Sequence, residues 1–152
     1  MIVVDTNVIA YLLITSERST DAERVLHKDP MWAAPVLWRS ELRNVLALYI
    51  RQRGLSVAQA VQIVNMADTL LQGREYVQSS RSVLELVAGS ACSAYDCEFV
   101  ALAQDLGVPL VTDDRRLLCV SPHTRVSAGL SGGCCRGLYH RWAFCRDVGT
   151  DA

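Results

Sequence analysis

The sequence predicts an α/β domain in three layers, with a central parallel β-sheet flanked by helices. Two observations predict it. Short runs of β-branched and small apolar residues alternate with longer amphipathic segments, and each crossover is long enough to carry a chain back into parallel register. Acids also follow directly on two of the apolar runs, at the strand ends where open α/β sheets gather their sites. With 152 residues the chain is long enough to bury one core.

Ile2, Val3 and Val4 contain no polar atom in their side chains and read as a buried strand. Asp5 stands where that strand should stop, and Asn7 is placed to open the helix that Val8, Leu12 and Leu13 continue. Residues 16–21 form a polar break with Ser19 or Thr20 as an N-cap, before a short helix over 22–26 that His27, Lys28, Asp29 and Pro30 end. Residues 31–34 read as a second strand closed by Pro35.

The segment 36–53 is a helix with apolar residues at 38, 42, 45, 46 and 49, stopped by Gly54 and carrying Arg51 and Arg53 in its last turn. Ser56 caps the next helix, whose Val57, Val61, Val64, Ala67, Leu70 and Leu71 share a face as far as Gly73. Residues 75–78 leave room for only a brief third strand. A helix from Ser80 or Ser82 runs through Val83, Leu86, Val87 and Ala91, and another over 95–106 ends at Gly107. Residues 108–112 read as a strand, and 113–118 as a turn or short helix. From Ser121 both periodicities vanish, so the chain divides into a domain over 1–120 and an atypical tail over 121–152 in which no closing strand is assigned.

The formal net charge is −1, so no global basicity marks a polyanion partner, although a local basic rim can still steer one. No apolar run approaches a membrane span and no secretory signal opens the chain, which predicts a cytoplasmic protein with no membrane partner. The six cysteines, Cys92, Cys97, Cys119, Cys134, Cys135 and Cys145, make no C-x-x-C pair and are expected as thiols. Cys134, Cys135, His140 and Cys145 can be drawn as a zinc site, but adjacent cysteines suit tetrahedral ligation poorly.

Two helices carry an acid where their pattern wants an apolar residue. Glu41 shares a face with Leu37, Trp38, Val45 and Leu48, and Asp96 shares one with Cys92, Phe99, Val100 and Ala103. An unpaired charge on a core-facing side is expensive. With Asp5 and the pair Asp113 and Asp114 at strand ends, these acids are expected to share a counterion. All are hard oxygen ligands, which suits Mg²⁺ or Mn²⁺ and the hydrolysis of phosphodiesters.

These residues also carry a family resemblance. Val4-Asp5-Thr6-Asn7, Ser40-Glu41-Leu42, Ser93-Ala94-Tyr95-Asp96 with Phe99-Val100-Ala101-Leu102-Ala103, and Leu110-Val111-Thr112-Asp113-Asp114-Arg115-Arg116-Leu117 together resemble a PIN domain, and more narrowly the VapC-type toxins of toxin–antitoxin pairs. The match covers residues 1–118 in order. The resemblance implies a PIN-like fold and an endoribonuclease in which Asp5, Glu41, Asp96 and Asp114, with Asp113 in reserve, bind Mg²⁺ or Mn²⁺. It also implies an RNA substrate (transfer, ribosomal or messenger), a homodimer, and an antitoxin whose C-terminal segment lies over the site. After Leu118 the sequence departs from the family pattern.

Each residue has a plainer reading beside this one. Asp5 can cap its helix, Glu41 can pair with Arg39 or Arg43, Asp96 can satisfy a helix dipole, and Asp113 or Asp114 can cap a following turn. Arg43, Arg115 and Arg116 are candidates for an RNA-facing rim, or are solvated charges. Thr6 and Thr112 are candidates to orient a carboxylate or a water. Trp32, Trp38 and Tyr49 read as core or dimer contacts. Two rival functions remain at this level: an aspartyl-nucleophile phosphatase, which would want an acid at Asn7, and a non-catalytic Mg²⁺-binding receiver-like or RNA-binding module.

Overall fold

The computed structural model describes residues 1–114, Leu117 and the backbone of Val126–Ser127. The elements run β1 (Ile2–Val4), α1 (Thr6–Leu13), α2 (Ser19–Lys28), β2 (Trp32–Pro35), α3 (Trp38–Arg53), α4 (Val57–Leu71), β3 (Glu75–Tyr76), α5 (Ser80–Ala88), α6 (Ala94–Leu106), β4 (Leu110–Val111) and β5 (Val126–Ser127). Every strand pairing is parallel, and the sheet order is β3-β2-β1-β4-β5.

That order fixes the layers. From β1 to β3 the chain steps in one direction along the sheet, then returns past β1 to form β4. With right-handed crossovers, the helices of the two journeys fall on opposite faces. The packing agrees: α1 lies against α2, α3 and α4, whereas α6 lies against α5 and against β1, β2 and β4. The step reverses at β1 and β4, so the connections that leave the carboxyl ends of these two neighbours run to opposite faces, the place where such sheets gather their sites. Register places Val3 opposite Leu110 and Val4 opposite Val111, so Asp5 and Thr112 come next on both strands.

The core justifies the short strands. Val3, Val4, Ala33, Ala34 and Leu110 are wholly buried, covered on both faces as an interior parallel sheet requires. Trp32, Trp38 and Phe99 are its largest members, which settles the two tryptophans as core residues. A smaller apolar cluster of Val83, Cys97 and Ala101 joins α5 to α6. Cys92 and Cys97 are free thiols, and the other four cysteines lie outside the described residues. Among the described residues no helix is long and apolar enough to cross a membrane.

Several boundaries differ from the expected ones for identifiable reasons. Helix α1 begins at Thr6, directly after Asp5, and does not wait for Asn7. Helix α2 extends from Ser19 to Lys28, with Asp21 in its first turn and His27 and Lys28 in its last, all placed to favour the dipole. Pro35 belongs to β2: Ala34 donates to the Arg74 carbonyl just before β3 and Val36 to that of Tyr76 within it, while Pro35 lies past the last β1 partner, where its missing N–H is not needed. On α4 the buried positions are Ala60, Ala67 and Leu71, whereas Val57 and Val61 are exposed. Strand β5 forms beside β4 from Val126–Ser127, inside the segment where no strand was expected. A two-residue strand is too short to show a period of two.

The expected helix stops at Gly54 and Gly107 are present, each in the left-handed region at φ 71° and 62°. A Cβ added at Gly107 would meet nothing within 4 Å. Gly107→Ala is therefore expected to cost about 1 kcal/mol, the backbone penalty alone, read as a lower denaturant midpoint with unchanged slope.

Candidate active site

Asp5 occupies the N-cap position of α1, but its side chain makes no capping hydrogen bond. Its backbone stays in the ladder, the N–H donating to the Val111 carbonyl at 3.0 Å. The carboxylate turns instead toward β4, where Oδ2 accepts from the Thr112 hydroxyl at 2.8 Å and from Asn7 Nδ2 at 3.4 Å. The same Thr112 oxygen accepts the Asp114 N–H at 3.0 Å. One hydroxyl thus receives a proton bond from the backbone of one acid and passes its own proton to another. Burial pushes the Asp5 carboxyl up to about 6. The Thr112 bond opposes the rise, and the charges of Asp96 and Asp114 add to it.

Glu41 sits in the first turn of α3 and Oε2 accepts from the Thr6 hydroxyl at 2.5 Å. The pairing with Arg39 that would have explained it plainly does not occur. Arg39 grips Glu75 with two bonds of 2.7 and 2.8 Å, reaches Asp68 at 2.6 Å, and lies over the Trp38 ring. Glu41 is raised to about 7, chiefly by burial, against the Thr6 bond, with Asp5, Asp96 and Glu98 contributing repulsion. A rise from 4.5 to about 7 corresponds to roughly 3 kcal/mol. A helix N-terminus offers an acid only about 0.3–1 kcal/mol, so burial wins.

Asp96 takes the third position of α6 and completes a capping box with Ser93, accepting from its hydroxyl at 2.8 Å and its N–H at 3.3 Å. The plain reading of Asp96 is therefore realised. It is not the whole account, because the Asp96 charge also acts on both Asp5 and Glu41.

Asp113 and Asp114 divide. Asp114 acts on Asp5, while Asp113 is held by Arg18 Nη1 at 3.2 Å and by the Tyr11 hydroxyl at 3.5 Å. Arg43 is exposed and lines an apolar groove between α3 and α4 with Leu46, Ile50 and Val61. It follows Glu41 by two positions, about 200° round the helix. Arg115 and Arg116 lie outside the described residues, as does the drawn zinc set.

Sequence reasoning missed three participants. Glu98 faces Glu41, and its own carboxyl is pushed up by burial. Two positions from Asp96, it falls off the face that the helical pattern singles out. Arg18 is buried at 8% exposure in a stretch that reads as a polar break, and Tyr11 stands on α1 with no charge to mark it.

Among the described residues no three acidic, histidine or cysteine side chains lie close enough, as they stand, to share an ion. Glu41 is drawn to Thr6 and Asp96 to Ser93. The donor set still fits a hard divalent cation. The converging groups are all carboxylates, and burial and mutual repulsion favour protons on two of them, a condition that a dication reverses. Asp5, Glu41, Asp96 and Asp114 are the residues that could hold one if Glu41 and Asp96 turned from Thr6 and Ser93.

Comparison with known proteins gives the same frame. The PIN domain family model matches residues 2–121. Ribonuclease VapC3 of Pyrobaculum aerophilum is 31% identical over 122 residues, covering 76% of this chain and 91% of that protein. FitAcB from Neisseria gonorrhoeae superposes with a TM-score of 0.64 at 19% identity, over 85% of this chain and 98% of its own. A toxin-antitoxin complex from Klebsiella pneumoniae superposes with a TM-score of 0.63 at 19% identity, with the same coverage of both chains. The chain belongs to the PIN domain family and is of the VapC type.

Proposed function

We propose that the chain is an endoribonuclease dependent on Mg²⁺ or Mn²⁺, the toxin of a VapBC-type pair that cleaves transfer, ribosomal or messenger RNA and so inhibits translation and growth. The observation that carries this reading is the meeting of Asp5, Glu41, Asp96 and Asp114 in one electrostatic neighbourhood at the ends of β1 and β4. Family membership and the ribonuclease named among the relatives support it. An antitoxin partner, supported by the toxin-antitoxin complex among the structural neighbours, and a homodimer belong to the same proposal.

The four acids would hold the divalent ion, which when bound supplies positive charge at the scissile phosphate and a water acidic enough to attack near neutral pH. The chain's own groups prepare the site. Thr112 holds one oxygen of the Asp5 carboxylate and Thr6 one oxygen of Glu41, which restricts the rotation of each acid. Near neutrality and without metal, Glu41 holds a proton about half the time, as its pKa of about 7 dictates. That proton must leave before Glu41 can act as a ligand. Arg115 and Arg116, which follow Asp114 in sequence, and the exposed Arg43 are the candidates for contacts with RNA phosphates.

Purified protein is expected to cleave structured RNA with Mg²⁺ or Mn²⁺ and not with EDTA, leaving 5′ phosphates and 3′ hydroxyls. Asp96→Asn, with the circular dichroism spectrum unchanged, is expected to lower the rate by about 10²-fold or more, since a lost ligand forfeits several kcal/mol of charge stabilisation. An unchanged rate in that variant would remove Asp96 from the site.

A further inference from the structure

We propose that Arg18 is a positioning residue that holds the turn over residues 112–114, through Asp113, in the conformation that presents Asp114 to Asp5. The inference rests on the nuclease reading, because it concerns the fourth acid of that site.

Three consecutive residues of this turn are fastened by contacts in different directions. Thr112 donates to Asp5 at 2.8 Å, and the Asp114 N–H returns to the Thr112 oxygen at 3.0 Å. Between them, Asp113 is taken by the α1–α2 side of the molecule. Its Oδ1 receives Arg18 Nη1 at 3.2 Å and its Oδ2 receives the Tyr11 hydroxyl at 3.5 Å. With both oxygens engaged, Asp113 has little freedom to rotate, and the backbone on either side is fixed with it.

Arg18 suits this task and no surface task. At 8% exposure it is poorly placed to reach an RNA phosphate, unlike a rim arginine. Arg18 cannot shed its proton, so its charge must be matched where it stands, and Asp113 matches it. A lysine would bring the charge without the planar fork.

The test uses the full chain with Arg18→Met, Arg18→Lys and Asp113→Asn. Three quantities are read: exchange of the Asp114 amide by NMR, Mn²⁺ affinity by calorimetry, and kcat and KM for RNA cleavage. Arg18→Met is expected to speed Asp114 exchange at least about tenfold and to weaken Mn²⁺ by about 10–100-fold, the range for partners that orient a ligand. It should lower kcat with KM within about twofold, and Arg18→Lys should recover part of each loss. If Arg18→Met fails to fold, Asp113→Asn, which keeps the shape and removes the charge, is expected to give the same exchange and affinity changes. A folded variant with lower Tm but unchanged Asp114 exchange and Mn²⁺ affinity would reduce Arg18 to a stabilising role. A rise in KM alone would make it an RNA contact, and either result overturns the proposal. Wild-type protein that binds Mn²⁺ but cuts no RNA would refute the nuclease reading while leaving the exchange and affinity results to decide on Arg18.

Discussion

Asp5→Asn is expected to lower RNA cleavage by about 10³-fold or more and, at the same time, to raise the melting temperature of the metal-free protein around pH 8. The two signs have one cause. Asp5 is buried, and its carboxyl is pushed from 3.8 to about 6, so above neutrality it is charged in a place that resists charge. That shift corresponds to about 3 kcal/mol. An amide of the same shape keeps a carbonyl oxygen for the Thr112 hydroxyl but carries no charge. Its new N–H group lacks an assured partner, which takes back part of the gain. A net stabilisation of about 1–2 kcal/mol remains, a few degrees for a chain of this size. Thermal melts with EDTA and a single-turnover cleavage assay read the two effects separately. Lost cleavage with a lowered Tm would make Asp5 a structural residue.

The second large effect is the reversal of pH dependence by metal. Asp5 and Glu41 both have folded-state pKa values above their unfolded ones, at about 6 and about 7. The folded chain therefore binds more protons than the unfolded chain between roughly pH 4 and pH 7, and its stability falls as pH rises through that window. Their contribution is fully present below the unfolded pKa values and is gone above pH 7 or so. A divalent ion binds the deprotonated acids, so its effect grows as the protons leave. At a hundredfold excess over its dissociation constant it adds about 2.7 kcal/mol, or roughly 5–10 °C. Melts in EDTA should thus decline from pH 5 to pH 8, while melts in Mn²⁺ should separate from them only toward pH 8. Coincident curves across the range would refute the shared-cation reading.

What could be read from the sequence divides along physical lines. Ile2 to Val4 needed no context, because an uninterrupted β-branched run has one good place in a soluble α/β domain. Gly54 and Gly107 marked helix ends because their backbone is costly for any other residue. Glu41 and Asp96 stood out against apolar neighbours on the same helix faces, and the structure brings both within the field of Asp5. Arg18 was invisible for the opposite reason: a buried arginine in a polar stretch looks like a solvated one until its acid, 95 residues away, is in place. The difference between Asp113, which Arg18 and Tyr11 engage, and Asp114, whose charge acts on Asp5, is equally a tertiary matter. The α4 face was misassigned because Val57 and Val61 follow helical spacing yet border a groove, where periodicity alone says nothing about cover.

The bond from Thr112 to Asp5 joins residues 107 positions apart. A ribosome making this protein synthesises Asp5 at the very start and the strand end that seats its carboxylate only after most of the domain has been made. A product truncated before β4 has Asp5 without Thr112 or Asp114, and so lacks the hydroxyl that holds the carboxylate in place. If the proposed nuclease reading holds, a partly made chain would therefore be an inactive one, because its acids would not yet have met.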